Sequence, residues 1–309
     1  MHPIVARGLS RAFGELMAVQ GLDLEVPAGE IFGLVGPDGA GKTTTMRLLA
    51  SILEPSGGEA WVAGFHIVKQ AEAVKEKIGY LGQRFGLYPD LTVQENIHFF
   101  ADLYGVSRRH RQERMEGLLA FSGLGPFRRR KAAHLSGGMR QKLALACALI
   151  HTPRVLLLDE PTSGLDPVSR RDLWRLLHQL RREEVTILIS TAYLEEAERC
   201  GRVGLMHRGR LLASGRPEEI KGMVRGAILE IRPSHPWQAF QILREKLAPA
   251  PVSLCGERIH VSSSDPVGAS QQIRKSLEGT GMEAGEIREV SPTLEDVFVS
   301  VLASPGEVR

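Results

Sequence analysis

The chain has 309 residues, 43% of them hydrophobic and 24% charged, which is ordinary for a globular protein and long enough for one large and one smaller domain. Its formal net charge of +3 is too small to indicate nucleic-acid binding, and its densest apolar run, LALACALI, is far shorter than the roughly 20 residues that cross a bilayer. The N-terminus lacks an apolar segment of signal-peptide length, and the three cysteines fit neither a metal-ligand spacing nor a disulfide framework, so we expect a protein of the reducing cytosol.

The first predicted elements are short strands over residues 4–35. The last of these strands, IFGLV, is apolar throughout, as is typical of a strand covered on both faces. A glycine-rich loop and a helix follow, and the apolar face predicted for this helix consists of Met46, Leu49, Ala50 and Leu53. From about 88 to 134 the pattern is helical and more polar. Beyond it, VLLLD and VTILIS flank another helical pattern, which predicts a mainly parallel sheet covered by helices.

The composition changes after about residue 224. The patterns that follow indicate the order β-α-β-β-α-β and a final helix, which resembles a small split-βαβ domain. We therefore predict a first domain at 1–224 and a small C-terminal α/β domain at 225–309.

The segment GPDGAGKT matches the pattern G-x-x-x-x-G-K-[ST], with Gly36, Gly41, Lys42 and Thr43 in the fixed places. Glycines let the backbone N–H groups surround phosphate oxygens, and the positive end of the next helix points at the same anion. Lys42 adds a point charge, and Thr43 offers a hydroxyl to Mg²⁺. An ordinary glycine-rich turn is the alternative, but the flanking apolar strand and amphipathic helix favour a phosphate site.

The apolar strand VLLLD ends in two adjacent carboxylates, Asp159 and Glu160. Asp159 is suited to hold Mg²⁺ at the strand end. Glu160 is suited to act as a general base if it lies within hydrogen-bond reach of a water molecule. A solvated strand end is the alternative interpretation.

The segment LSGGMRQ opens a helix and predicts a second anion site. Ser136 is a good N-cap, and the two glycines after it leave backbone amides uncovered. A second phosphate-binding segment in one chain is most simply explained if it serves the nucleotide of another copy. A well-capped helix start is the alternative.

Taken in order, the phosphate loop (residues 36–43), LSGGMRQ (135–141), LLLDEP and SGLD (163–166) resemble the motifs of the ATP-binding subunits of ABC transporters. The resemblance covers residues 1 to about 224 closely. It implies an α/β fold of the P-loop NTPase, ABC ATPase type: a mainly parallel sheet flanked by helices, an antiparallel β subdomain and a helical subdomain at about 88–152. It also implies ATP and Mg²⁺ as cofactors, and a closed dimer with two nucleotides between the phosphate loop of one chain and LSGGMRQ of the other.

The resemblance assigns roles to individual residues. The implied catalytic residues are Glu160, Gln83 and Lys42. The implied Mg²⁺ ligands are Thr43, Gln83 and Asp159. The implied nucleotide contacts are Phe13, Val19, Gly36, Asp38, Gly39, Ala40, Gly41, Lys42, Thr43, Thr44, Ser136, Gly137, Gly138 and Gln141.

Some of these roles have simpler alternatives. Phe13 would stack on adenine, but it could be a core phenylalanine. Gln83 would reach Mg²⁺ and the attacking water, but it could be a surface glutamine. By the same resemblance, Ser136 and the glycines after it would meet the γ-phosphate of the partner subunit, and Asp166 would cross the dimer interface.

The loop RFGLYPDLT places Phe85, Leu87 and Tyr88 close together beside Gln83. Exposed apolar side chains there would mark a partner site, although satellite core contacts are the alternative. By resemblance, the partner is a cytoplasmic helix of an integral membrane subunit, and the chain lies at the inner face of the cell membrane. The tail SPTLEDVFVSVL resembles that of ATPases serving drug, lipid or polysaccharide exporters. A homodimer and a heterodimer with another ATP-binding subunit both remain open.

Two positions depart from the family pattern. Asp38 stands where asparagine or serine is more common, and we expect its carboxylate to point away from the phosphates. Ala192 stands where the family has a switch histidine that touches the γ-phosphate. Three hypotheses follow: hydrolysis is slow, the partner half-site is better equipped, or Tyr193 or a water molecule replaces the histidine.

Two other function classes fit the sequence less well. A non-transport ABC ATPase acting on ribosomes or DNA would have two linked ATP units, long basic tails or a coiled-coil insertion, and the sequence has none of these. A P-loop GTPase or kinase is disfavoured by LSGGMRQ and by the lack of an NKxD segment. The basic run RRRK lacks interleaved aromatic residues, so we expect no nucleic acid partner.

Overall fold

The computed structural model describes residues 2–83, 86–224 and 226–303. The chain divides into two compact units, Met1–Leu211 and Leu212–Arg309. The strands are β1 (Ile4–Phe13), β2 (Leu16–Val26), β3 (Ile31–Val35), β4 (Gly57–Val62), β5 (Phe65–His66), β6 (Ile78–Leu81), β7 (Val155–Asp159), β8 (Thr186–Thr191), β9 (Arg202–His207), β10 (Arg210–Gly215), β11 (Ala227–Ile231), β12 (Val252–Cys255), β13 (Arg258–Ser263) and β14 (Ile287–Val290). The helices are α1 (Lys42–Leu49), α2 (Ala71–Lys77), α3 (Val93–Leu103), α4 (Arg108–Ser122), α5 (Gly137–Leu149), α6 (Pro167–Arg182), α7 (Leu194–Ala197), α8 (Pro217–Lys221), α9 (Pro236–Lys246), α10 (Pro266–Glu278) and α11 (Leu294–Ala303).

The first unit is built on two sheets. An antiparallel sheet has the order β2-β1-β4-β5, and a second sheet has the order β10-β9-β3-β8-β7-β6, with parallel pairing along β9-β3-β8-β7-β6. Every residue of β3, β7 and β8 is buried, as their continuous apolar sequences predict for strands covered on both faces. Because these strands are parallel, their carboxyl ends meet at one edge of the sheet, where the site described below is formed.

Helix α1 ends earlier than its sequence pattern predicts. The predicted apolar face reached Leu53, whereas the helix stops at Leu49. Ser51 adopts a positive φ of 56°, and the N–H groups of Ile52 and Leu53 both donate to the carbonyl of Arg47. Such a closure satisfies free carbonyl groups at a helix end and turns the chain. Leu53 nevertheless packs against the main hydrophobic core.

Helices α3, α4 and α5 form the helical part of the first unit around their own apolar core. Helix α3 begins with a capping box, in which the side chains of Thr92 and Glu95 each accept from the other residue's backbone N–H. The completely buried Asn96 side chain accepts from the N–H of Tyr88 and donates to the carbonyl groups of Tyr88, Leu91 and Thr92. One buried amide therefore holds the loop that precedes α3.

The second unit contains an antiparallel sheet with the order β12-β13-β11-β14. The predicted order β-α-β-β-α-β with a final helix is present. Alternate sheet residues, including Leu229 and Ile259, pack against Leu243 of α9 and Ile273 of α10 in one hydrophobic core. This pattern of alternation is that of a sheet with one apolar face. Across the described ranges of both units, no helix is long and apolar enough to cross a membrane.

Candidate functional site

The loop between β3 and α1 folds around the side chain of Lys42. Lys42 is 4% exposed, and its Nζ donates to the carbonyl oxygens of Gly36 at 2.8 Å and Pro37 at 3.1 Å. Gly41 precedes the helix with φ 104°, a conformation that favours glycine. The remaining loop residues are placed as follows: exposed Asp38 and Gly39, buried Ala40, and half-buried Thr43 and Thr44. The buried Lys42 side chain therefore occupies the inside of the loop, and Asp38 and Gly39 are exposed at its tip.

Strand β2 and the turn after β9 support this loop from one side. The N–H of Gly209 donates to the carbonyl of Ala40 at 2.9 Å, and the N–H of Gln20 donates to the carbonyl of Gly209 at 2.7 Å. Phe13 is 46% exposed, and the Arg11 guanidinium lies 4.7 Å from its ring centroid. Val19, which pairs with Arg11 across the hairpin, is completely buried in the main core, so its predicted nucleotide contact stays a prediction.

The carboxylates at the end of β7 lie beside the loop. The buried Asp159 accepts from the Thr43 hydroxyl at 3.1 Å and from the Ser190 hydroxyl at 2.7 Å, both through Oδ1. Its second oxygen, Oδ2, is buried without a hydrogen-bond partner among the described residues. Gln83 reaches the same cluster, with its Nε2 3.5 Å from the Thr43 hydroxyl. Glu160 follows with a strained φ of 49°, and its Oε1 lies 3.3 Å from the Lys42 ammonium.

The donor set around Asp159 consists of oxygen atoms, which are the ligands that Mg²⁺ prefers. A buried, unpaired carboxylate oxygen costs free energy unless a cation or a donor satisfies it. The unpaired Oδ2 of Asp159, with the Thr43 hydroxyl and the Gln83 side chain close by, therefore fits a magnesium site.

Sequence reasoning missed Ser190, which donates to Asp159 and whose hydroxyl also accepts from the N–H of Glu160 at 2.9 Å. A hydroxyl at the end of the strand VTILIS was the available signal, because the ends of adjacent parallel strands meet at one edge.

The segment after β8 is anchored by Glu196, which sequence reasoning also missed. Glu196 is 1% exposed and accepts from the hydroxyls of Thr162 and Thr191, each at 2.8 Å. The N–H of Tyr193 donates to the Thr191 hydroxyl at 3.0 Å. Glu196 thus ties the loop after β7 to the loop after β8.

Ala192 is exposed within this anchored segment. The ring of the next residue, Tyr193, packs against α6, because the Arg170 guanidinium lies 4.8 Å from its centroid. Arg170 also lies 3.3 Å from Glu195 and 3.5 Å from Glu196.

The segment LSGGMRQ begins α5 as predicted, because the Ser136 hydroxyl accepts from the N–H of Met139 at 3.3 Å. Gly137 and Gln141 line a cavity of about 580 Å³ that Gln83 also lines. Gly138 packs so closely on Ser169 of α6 that a Cβ there would overlap the serine hydroxyl. Within the described part of the chain, no hydrogen bond or ion pair joins residues 135–141 to the phosphate loop.

Asp166 is the N-cap of α6 and accepts from the N–H groups of Val168 and Ser169, each at 3.0 Å. The hydrogen bond from the Ser169 hydroxyl and those from the backbone lower the pKa of the Asp166 carboxyl. This carboxylate is exposed at the surface that the resemblance assigns to the dimer interface.

The predicted partner loop lies before α3. Tyr88 is 44% exposed, and its ring centroid is 4.5 Å from that of the exposed Phe99 on α3. Leu87 is half-buried and packs against the core of the helical part. Phe85, the third residue of the prediction, lies outside the described residues. Tyr88 and Phe99 thus form an exposed aromatic pair.

Comparisons with known proteins bear on the whole arrangement. The family model described as ABC transporter matches residues 19–163. The chain is 42% identical over 313 residues to the probable multidrug ABC transporter ATP-binding protein YbhF of Escherichia coli (strain K12), covering 98% of this chain and 52% of YbhF. It is 35% identical over 316 residues to the daunorubicin/doxorubicin resistance ATP-binding protein DrrA of Streptomyces peucetius, covering 99% of this chain and 94% of DrrA. The chain therefore spans about half the length of YbhF and nearly all of DrrA.

Solved structures agree with the fold. An ATP-binding subunit of an ABC transporter matches with 30% identity and a TM-score of 0.65, over 71% of this chain and 92% of that one. A dimeric bacterial ABC transporter cassette matches with 26% identity and a TM-score of 0.63, over 69% of this chain and 98% of that one. The predicted fold class and family resemblance are confirmed, and the relatives give no support to a role on ribosomes.

The close packing of Gly36 gives a stability prediction. A Cβ at Gly36 would overlap the carbonyl oxygen of Met206, which is backbone and cannot rotate away. We expect Gly36→Ala to lower the free energy of unfolding, measured by urea denaturation, by about 1–3 kcal/mol. As a matched control, Gly117→Ala in α4, where nothing lies within 4 Å of the new Cβ, should raise it by about 0.5–1 kcal/mol. Changes of the same sign and size in both variants would contradict this account of the loop.

Proposed function

The chain belongs to the ATP-binding proteins of ABC transporters, and we propose that it binds and hydrolyses ATP to drive a membrane exporter of the multidrug, lipid or polysaccharide class. The observation that carries the proposal is the meeting of Lys42, Thr43, Gln83, Asp159 and Glu160 at one edge of the parallel sheet. The exporter class is supported by the names of the similar proteins, multidrug transport for YbhF and daunorubicin/doxorubicin resistance for DrrA. Residues 1–224 would form the nucleotide-binding domain, and residues 225–309 the accessory domain.

The phosphate loop would hold the triphosphate of ATP. The backbone N–H groups of Gly39 and of residues 41–44, at the start of α1, would provide an anion site, since those of Gly36 and Ala40 already donate to the carbonyls of Thr191 and Pro37. Phe13 is exposed and could stack on adenine. Thr43, Asp159 and Gln83 would hold Mg²⁺, which would supply positive charge beside the triphosphate.

Lys42 and Glu160 would exchange partners when ATP binds. The Lys42 ammonium lies 3.3 Å from Glu160 and within hydrogen-bond distance of two loop carbonyls. The γ-phosphate carries more negative charge than one carboxylate, so it would attract Lys42 away from Glu160. Glu160 would then be free to accept a proton from the attacking water as a general base.

Two chains would complete two sites. Ser136, Gly137, Gly138 and Gln141 have no polar link to the described phosphate loop of their own chain, but they offer a helix N-terminus to a second anion. We propose that these residues bind the γ-phosphate held by a partner, in a homodimer or a heterodimer, with Asp166 at the interface. The match to a dimeric cassette supports this arrangement.

The role of Glu160 can be tested by Glu160→Gln, which keeps the size and hydrogen-bonding ability of the side chain but removes the base. We expect the ATPase rate, measured as phosphate release, to fall by roughly 10²–10⁴-fold. ATP binding should persist, and a dimer should accumulate with ATP in analytical ultracentrifugation. Glu113→Gln, at an exposed position of α4, is the matched control and should hydrolyse ATP like the wild type. A Glu160→Gln rate equal to that of the wild type would exclude Glu160 as the base.

The partner surface would be the predicted loop at Leu87 and Tyr88, extended by the exposed ring of Phe99 beside Tyr88. Exposed aromatic side chains in one patch are typical of protein-binding surfaces. We propose that an integral membrane subunit docks there through a cytoplasmic helix and holds the chain at the inner face of the cell membrane. The hydrogen bonds of Asn96 would keep this loop rigid for docking.

This docking surface can be tested by Tyr88→Asp, which places a charge in the apolar contact. In cells that produce the membrane subunit, we expect the fraction of the chain that sediments with membranes to fall at least several-fold. Trp237→Asp, which changes another exposed aromatic residue, should sediment like the wild type. The ATP affinity of each purified variant serves as the test of folding. If Trp237→Asp no longer sediments with membranes while Tyr88→Asp still does, the membrane subunit does not dock at Tyr88.

The effect of Ala192 is the remaining question. The ring of Tyr193 packs against Arg170, so we do not expect Tyr193 to replace the missing histidine. The two remaining hypotheses are slow hydrolysis and a better-equipped site in the partner subunit. We expect Ala192→His to raise the phosphate-release rate of the homogeneous protein, by up to roughly 10²–10³-fold, because one positioned polar group at a reacting centre has an effect of that size. Ala192→Leu, a comparable gain in bulk without polarity, should give no rise. An unchanged rate in Ala192→His would mean that another group already contacts the γ-phosphate.

A further inference from the structure

The sheet of the second unit has a polar face as well as an apolar one. His260 of β13 is paired with Ser253 of β12 on one side and with Glu230 of β11 on the other, so the three side chains form a row across the sheet. All three are buried, at 5%, 7% and 4% exposure. Asp296 of α11, which is 3% exposed, contacts this row, because its Oδ1 lies 2.9 Å from the Nδ1 of His260. This buried polar row plays no part in the proposed ATP site.

Cys255 lies two residues after Ser253, on the same face of β12, and completes a set of metal-binding side chains. One ligand atom each from Cys255, His260 and Asp296 lies within 4.8 Å of the others. We propose that these three residues bind a divalent transition-metal cation of the Zn²⁺ type. The sequence did not indicate this set, because its members come from two strands and a helix and have no recognisable spacing.

The chemistry of the three donors selects the class of metal. A thiolate, an imidazole nitrogen and a carboxylate oxygen together suit Zn²⁺ and disfavour Mg²⁺ or Ca²⁺, which take oxygen ligands. Bonds of about 2.0–2.3 Å in a tetrahedral arrangement place ligand atoms roughly 3.5 Å apart. The Cys255 sulfur, within 4.8 Å of the other two ligand atoms, would therefore move closer to them, and the Nδ1 of His260 and the Oδ1 of Asp296, 2.9 Å apart, would separate slightly. Cys255 can make this movement because it is half-exposed, and the same exposure leaves a path for the cation and a water molecule as fourth ligand.

The surrounding residues would orient the ligands as they do in metal sites. The Nε2 of His260 faces Glu230 at 3.6 Å, and a carboxylate beside the second ring nitrogen is a usual support of a metal-bound histidine. Burial alone would raise the pKa of Glu230, but hydrogen bonds from Arg288, Arg258 and Arg232 lower it to about 2, so this carboxylate stays ionised.

Asp296 is held in place by three further donors, from Thr293 and Ser253. Its Oδ2 accepts from the N–H of Thr293 at 2.8 Å and from the Thr293 hydroxyl at 2.7 Å. The Ser253 hydroxyl lies 3.3 Å from its Oδ1. The carboxylate is therefore positioned at the start of α11 before any cation binds.

A proton competes with the cation for this site. The Nδ1 of His260 lies 2.9 and 3.1 Å from the two oxygens of Asp296, so a cation bound between them would replace the proton of this hydrogen bond. Binding of one Zn²⁺ would form Zn–S, Zn–N and Zn–O bonds and release two protons to the solvent, one from the Cys255 thiol and one from His260. No oxidant or other reactant is needed.

The test uses the full chain, treated with a chelator and dialysed, and titrated with Zn²⁺ against a chromophoric chelator. We expect one tight site per chain in the wild type and in Cys200→Ala, the control for loss of a thiol outside the set. Cys255→Ala should bind at that site more than roughly 100-fold more weakly, because even the loss of a supporting residue costs 10–100-fold. With Co²⁺ as the probe, the wild type should show a thiolate-to-metal charge-transfer absorption that Cys255→Ala lacks.

Two results would overturn the proposal. One is the absence of any tight site in the wild type. The other is equal uptake by the wild type and Cys255→Ala, which would indicate an adventitious surface ion only and leave His260 and Asp296 as a buried ion pair. A melting curve of each variant without added metal shows whether Cys255→Ala is folded. None of these measurements depends on ATP, so a failed ATPase proposal would leave the result unaffected.

Discussion

The burial of Asp159 at the end of a central strand is the constraint around which the nucleotide site is arranged. An ionised carboxylate removed from water is costly unless donors or cations satisfy it. The hydroxyls of Thr43 and Ser190 satisfy one of its oxygens, and the other oxygen has no partner among the described residues. Thr43 belongs to the helix after β3, and Ser190 belongs to β8. The carboxylate therefore joins the phosphate loop to two neighbouring strands and leaves one oxygen for a cation.

Charge and strain are concentrated around this point. The buried ammonium of Lys42 is held by two loop carbonyls and by Glu160, so the site pairs internally the charges that would meet the triphosphate. Glu160 is held at a positive φ, a conformation that is commonly retained at functional sites. In the proposed cycle, ATP exchanges these internal contacts for contacts with phosphate, and this exchange frees the base.

The network around Glu196 explains how alanine is tolerated at position 192. The loop after β8 is held through Thr191 and Tyr193, and the loop after β7 through Thr162, while the side chain of residue 192 points to none of these contacts. An alanine in place of the histidine that the resemblance implies would therefore leave the backbone of this segment anchored. In the proposed mechanism, position 192 could therefore affect the rate of hydrolysis without affecting the fold.

Local patterns in the sequence were enough to predict the buried strands, the phosphate loop, the capped start of α5 and the α/β order of the second unit. Each of these depends on residues that are neighbours in the chain, such as the apolar run before Gly36 or Ser136 before two glycines. The end of α1 was predicted too late, because the positive φ of Ser51 closes the helix although the apolar spacing continues to Leu53. The partners of Asp159 and Glu196, and the grouping of Cys255 with His260 and Asp296, were beyond local patterns. Asp159 lies 31 residues from Ser190 and 116 from Thr43, Glu196 lies 34 residues from Thr162, and His260 lies 36 residues from Asp296. Hydrogen bonding of buried polar groups depends on which strand ends and helix faces pack together, and only the tertiary structure decides that.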